Sequence, residues 1–103
     1  MKADFNGPFK SNIRNIVRAC GYAEIFDRRS AKISYVRRLG TNYYPRFHIY
    51  FDLLENGFRI NLHLDQKKPS YKNVNAHSAE YDGELVENEM NRISQIINSY
   101  KQS

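Results

Sequence analysis

The stretch Arg46-Phe47-His48-Ile49-Tyr50-Phe51-Asp52-Leu53-Leu54-Glu55-Asn56-Gly57-Phe58-Arg59-Ile60-Asn61-Leu62-His63-Leu64-Asp65-Gln66 decides the fold. From Arg46 to Leu54, and again from Phe58 to Gln66, apolar and polar residues alternate, which is the period of a strand with one buried face. Between the runs stands Glu55-Asn56-Gly57. Asn-Gly is the favoured pair for a two-residue type I′ turn, because both central positions need positive φ. The pattern predicts a hairpin turning at Asn56 and Gly57, with His48 opposite Asp65 and Tyr50 opposite His63. One face then carries Phe47, Ile49, Phe51, Leu53, Phe58, Ile60, Leu62 and Leu64. The other carries His48, Tyr50, Asp52, Arg59, Asn61, His63 and Asp65. The apolar set must be covered by helices; the polar set faces water or a ligand.

Helices are predicted at both ends. Ile13, Ile16, Val17 and Cys20 follow i, i+3, i+4, i+7 spacing, which places a helix over about residues 8–20. Pro8 suits its first position, Ser11 is a rival N-cap, and Gly21 can take the left-handed turn that ends it. A second helix spans about Gly83 to Tyr100 on the stripe Val86, Met90, Ile93, Ile97 and Tyr100, widened by Leu85 and Ile96. Asp82 is its expected N-cap, and Glu84 and Glu87 suit its positive end. Tyr22–Asp27 and Lys32–Arg38 read as short strands around Arg28-Arg29-Ser30. Pro69 and the polar Ser70–Ser78 read as a loop. The expected fold is a single α+β domain, residues 1–103, of order α-β-β-β-β-α. Two helices lie on one face of a small antiparallel sheet of three to four strands.

Composition sets the outer limits. The 103 residues are 41% hydrophobic and 14% aromatic, with eight Tyr and six Phe, which excludes a disordered tail. A single Cys excludes an internal disulfide framework and a Cys-rich zinc site, and suits a reducing compartment, so a cytoplasmic location is expected. Cys20 completes an apolar stripe and reads as core. No apolar run reaches the roughly 18–20 residues of a membrane helix, so no membrane association is expected. Sixteen Lys plus Arg against eleven Asp plus Glu give a net charge of +5, which permits nucleic acid as a partner without requiring it. The signs are segregated: Arg28–Arg46 holds six cations and no acid, and Glu80–Glu89 five acids and no cation. The acid run has a plain explanation in the helix start it overlaps.

His48, His63 and Asp65 on one polar sheet face form the candidate catalytic group. Imidazole has an ordinary pKa near 6.5 and suits proton transfer at neutral pH, and a neighbouring carboxylate orients it. His77 lies in the segment leading to the last helix and could join them. Phosphodiester chemistry also wants cations, and Arg46, Arg59 and Lys67 are near along the strands. Arg37, Arg38, Tyr43, Tyr44 and Arg46 interleave charges with rings, the mixture in which cations meet phosphates and rings stack on bases. The expected partner is nucleic acid, RNA favoured, with no cofactor. Alternatives are a solvated His–carboxylate face, a protein-interaction module using the polar face or Tyr43-Tyr44, and a divalent-metal domain. Metal is the less favoured reading, because Gln66, Lys67 and Lys68 follow Asp65 where a cation site wants more carboxylates.

The segments Ile13-Arg14-Asn15-Ile16-Val17-Arg18-Ala19-Cys20-Gly21-Tyr22 and Arg46-Phe47-His48-Ile49-Tyr50 resemble HicA-type toxins and, in element order, double-stranded-RNA-binding-like folds. The resemblance covers about residues 8–65 and implies RNA cleavage with His48 as the strand histidine. The chain lacks the Gly-Ser-His sequence before that strand and carries an extra Lys67–Asp82 segment. Its last helix has no lysine-rich start. The segments Asn61–Gln66 and His77–Asp82 also look similar to small prokaryotic proteins to which no activity attaches.

Overall fold

The computed structural model describes residues 1–66, 79–80 and 83–102. Lys67, His77 and Asp82, each singled out above, lie outside the described residues. Eight elements follow in order: β1 (Lys2–Asn6), α1 (Ile13–Ala19), β2 (Ala23–Asp27), β3 (Lys32–Arg38), β4 (Arg46–Leu54), β5 (Gly57–Asp65), β6 (Ala79–Glu80) and α2 (Glu84–Ser99). The α+β class and the two helices agree with expectation, but a strand precedes the first helix. The sheet is larger than expected: five antiparallel strands run in the order β1-β5-β4-β3-β2, and the two-residue β6 pairs with β5. β1 is the strand the sequence hid. Only Phe5 of its five residues is buried, and Asn6-Gly7-Pro8 beside it reads as the start of a helix.

That helix starts later than predicted, at Ile13 rather than near residue 8. Asn12, not Ser11, is the cap, its side chain accepting from the Asn15 amide at 2.9 Å. Residues 8–10 are drawn instead to the far end of the chain. Lys10 N–H donates to the Tyr100 carbonyl at 2.7 Å, and Gln102 N–H donates to the Pro8 carbonyl at 3.0 Å. Gly21 takes the expected left-handed conformation, φ +94°. α2 is capped at Gly83 with no side-chain bond.

The hairpin register also differs. Leu54 pairs with Gly57, so Glu55 and Asn56 are the turn, and Gly57 opens β5. Neither turn residue has positive φ, so this is not the I′ turn that Asn-Gly suggests. Gly57 answers to a different neighbour: a Cβ there would lie 1.8 Å from the Phe5 carbonyl oxygen of β1. The pairing has slipped by two residues. Because side-chain direction has a period of two, both faces keep their members while cross-strand partners change. His48 now faces His63, Tyr50 faces Asn61, and Asp65 faces Arg46.

The apolar face meets both helices in one core: Phe47, Ile49, Phe58, Ile60, Leu62 and Leu64 pack with Ile16, Val17, Cys20, Val86, Met90, Ile93 and Ile97. Leu53 and Leu85, expected in this core, are 74% and 49% exposed; Phe5 and Phe9 cover Phe58, the cross-strand partner of Leu53, and leave Leu53 outside. A polar clamp is buried in the helical layer. Glu89 of α2, only 5% exposed, accepts from Tyr22 Oη at 2.6 Å and from Arg92 Nε at 2.7 Å. Arg92 also donates to the Cys20 carbonyl at 2.6 Å, tying α2 to the end of α1.

Candidate functional site

Strand parity brings the site together. His48 on β4 and His63 on β5 are directly paired, with ring centroids 4.8 Å apart, and Asp65 follows two residues along the same face. The Asp65 carboxylate receives three donors: His48 Nδ1 at 3.0 Å and Arg46 Nε at 3.1 Å on Oδ2, and His63 Nε2 at 2.8 Å on Oδ1. Burial pushes this carboxyl up. Hydrogen bonds from His48, His63 and Arg46, with the charge beside them, prevail and hold it far below the usual carboxylate range. An ionised carboxylate only accepts, so each imidazole presents an N–H to Asp65. The second nitrogen of His48, Nε2, lies 2.7 Å from Ser34 Oγ of β3. Tyr50 stacks on the His48 ring at 4.6 Å.

This is a chain hydroxyl–imidazole–carboxylate with a second imidazole on the same carboxylate. Such an arrangement orients an imidazole and can move a proton. It is also secluded: His48 is 8% exposed and Ser34 2%. The three candidate ligand atoms of His48, His63 and Asp65 lie within 4.8 Å of one another, and two imidazoles with a carboxylate suit zinc or a similar divalent ion. Such an ion would have to displace both imidazole protons and share Asp65 with the Arg46 guanidinium.

The expected nucleic-acid residues separate. Arg37 and Arg38 are adjacent on a strand and so point to opposite faces. Arg37 goes to the helical side, 3.5 Å from Glu89. Arg38 stays on the polar face, its guanidinium 4.1 Å from the centroid of the Tyr43 ring. Arg46, bonded to Asp65, lies 4.8 Å from the Tyr44 ring centroid. Arg59 is farther along the sheet and is held by Asp4 at 2.7 Å. Ser34 and the β1 residue Lys2 were not anticipated. Nothing local marks either; they reach this face only through the β3–β4 and β1–β5 pairings. Cys20 is buried, its thiol pushed up to about 11 by burial, as suits a core residue. No described helix is long and apolar enough to cross a membrane. No family model, curated protein or solved structure matches the chain.

Proposed function

We propose that this chain acts on RNA, cleaving the phosphodiester by general acid–base chemistry at the His48–His63 pair. The observation that carries the reading is the shared carboxylate: Asp65 orients both imidazoles at once, 4.8 Å apart, beside the Arg38–Tyr43 and Arg46–Tyr44 stacks. RNA brings its own nucleophile, so two proton transfers suffice. One neutral imidazole takes the 2′-hydroxyl proton as the 2′-oxygen bonds to phosphorus. The other, protonated, gives its proton to the 5′-oxygen as the P–O5′ bond breaks. Tyr50 and Asp65 hold the His48 ring, whose Nε2 exchanges its bond to Ser34 Oγ for one to the substrate oxygen, and Arg46 neutralises charge near the phosphate.

The test is cleavage of a generic single-stranded RNA from pH 5 to 8, with and without chelator, by wild type, His48→Gln and His63→Gln. Cleavage that survives chelation, follows a bell-shaped pH profile and falls in both variants supports the reading. The His48, His63 and Asp65 cluster also favours a second reading, metal-assisted hydrolysis, which predicts loss of cleavage in chelator. No cleavage by wild type under any condition, with both variants merely less stable to urea, would leave a structural polar network and sink both.

A further inference from the structure

One cross-strand row runs over the site. Ala23 pairs with Val36, Val36 with His48, and His48 with His63, so these four residues lie in line across β2, β3, β4 and β5. At the usual strand spacing of about 4.8 Å, the row is roughly 14 Å long. Each end opens on a cavity. At the β2–β3 end is a groove of about 560 Å³ floored by Ala23, Ile25 and Val36 and rimmed by Arg38, Tyr43 and Arg46. At the β5 end is a cavity of about 230 Å³ lined by His63, Tyr50, Asn61 and Lys2. Among the described residues, no carboxylate lines either one. The imidazole pair sits between them.

Resting on the RNA reading of this site, we infer that the two cavities are nucleotide subsites on either side of the imidazole pair, and that the ligand is single-stranded RNA lying across the strands. The groove joins an apolar floor and an exposed Tyr43 ring to guanidinium groups, which is what a base with its phosphate needs. The second cavity offers the Lys2 ammonium for a phosphate and, for a base edge, the side-chain carbonyl of Asn61, whose amide nitrogen is held by Asp52 Oδ2 at 3.0 Å. Only unpaired bases can turn into such pockets. A duplex keeps its bases stacked, and the modules that bind it track about 16 base pairs, far beyond a 14 Å row.

The test uses a fluorescent 2′-O-methyl oligonucleotide, whose blocked hydroxyl prevents cleavage, so binding is read without chemistry. Anisotropy titrations compare the single strand with its duplex, on wild type, Arg38→Ala, Tyr43→Ala, Lys2→Ala and, for an equal charge loss on the exposed side of α1, Arg18→Ala. We expect the single strand to bind tighter than the duplex. Arg38→Ala and Tyr43→Ala should each weaken it about fivefold or more, taking one base stack at about 1 kcal/mol. Lys2→Ala should weaken it less, and Arg18→Ala by under about twofold. Equal or tighter duplex binding, no binding of the single strand, or a Tyr43→Ala protein that binds like wild type would overturn the inference. Expected binding with no cleavage of the unmodified strand would instead remove the proposed chemistry and leave the subsites standing. Cleavage accompanied by duplex preference would do the reverse.

Discussion

Asp65 accepts three side-chain hydrogen bonds, with two imidazoles and one guanidinium on its two oxygens. Those partners stabilise the ionised form in the folded chain, so the folded carboxyl binds a proton less readily than the unfolded one. Its contribution is therefore full above the ordinary carboxylate range, near pH 4, and is lost progressively as pH falls below it. Asp65→Asn should cost about 2–3 kcal/mol at pH 7, the scale of hydrogen bonds to a charged group. The gap to wild type should narrow from pH 4 to pH 2 in urea unfolding; parallel curves would contradict this account. Gly57 is set by the close approach of the β1 backbone. A methyl group there would collide with the Phe5 carbonyl and force β1 off β5, so Gly57→Ala should destabilise by about 1–3 kcal/mol. If a free turn conformation were the reason for this glycine, the alanine variant would disturb the hairpin tip and leave β1 protected in hydrogen exchange.

At the scale of elements, α2 is held by more than its apolar stripe. Glu89 belongs to the run of acids that reads as a helix-start preference, yet it is buried between Tyr22, Arg92 and Arg37. Burial pushes its carboxyl up, but bonds from Arg92 and Tyr22 outweigh this and keep it below its usual range. Glu87, two residues earlier, is exposed. Glu89→Ala leaves two arginines without their buried counter-charge and should cost about 3 kcal/mol, while Glu87→Ala should stay within about 0.5 kcal/mol. Thermal unfolding of the two variants decides it; equal losses would make Glu89 an ordinary helix-start acid. The hairpin elements were legible in another way. Alternation alone assigns Phe47, Ile49, Ile60, Leu62 and Leu64 to the core and His48, His63 and Asp65 to the opposite face. A two-residue slip leaves those assignments intact, because only odd slips exchange faces. The same period tells Arg37 from Arg38.

On the scale of the whole molecule, the net charge of +5 overstates the surface offered to a polyanion. Arg37, Arg46 and Arg59 are each engaged by a carboxylate, and Arg14 and Arg92 likewise. Around the imidazole row, no described carboxylate pairs with Arg38 or Lys2, and Arg46 is shared with Asp65. Two or three phosphate contacts on a single strand give a slope of log K against log salt of about −1.4 to −2.1. A slope steeper than about −4 in titrations from 50 to 200 mM salt would mean that binding uses a broader basic surface than this face.

The sequence by itself determined what depends on local periodicity and on side-chain chemistry. These are the α+β class, the two amphipathic helices, the β4–β5 hairpin, its core face, and the presence of His48, His63 and Asp65 together on the other face. Tertiary structure decided whatever depends on a partner distant along the chain. β1 joins the sheet because β5 has an open edge for it. Residues 8–10 leave the first helix because residues 100–102 offer them backbone partners. The turn moves to Glu55-Asn56 while Gly57 makes room for Phe5, and Ser34 meets His48 only after β3 pairs with β4. In each case a backbone or side-chain contact made across many residues outweighs a local preference of about 1 kcal/mol or less, so the local signal is read correctly and then overruled.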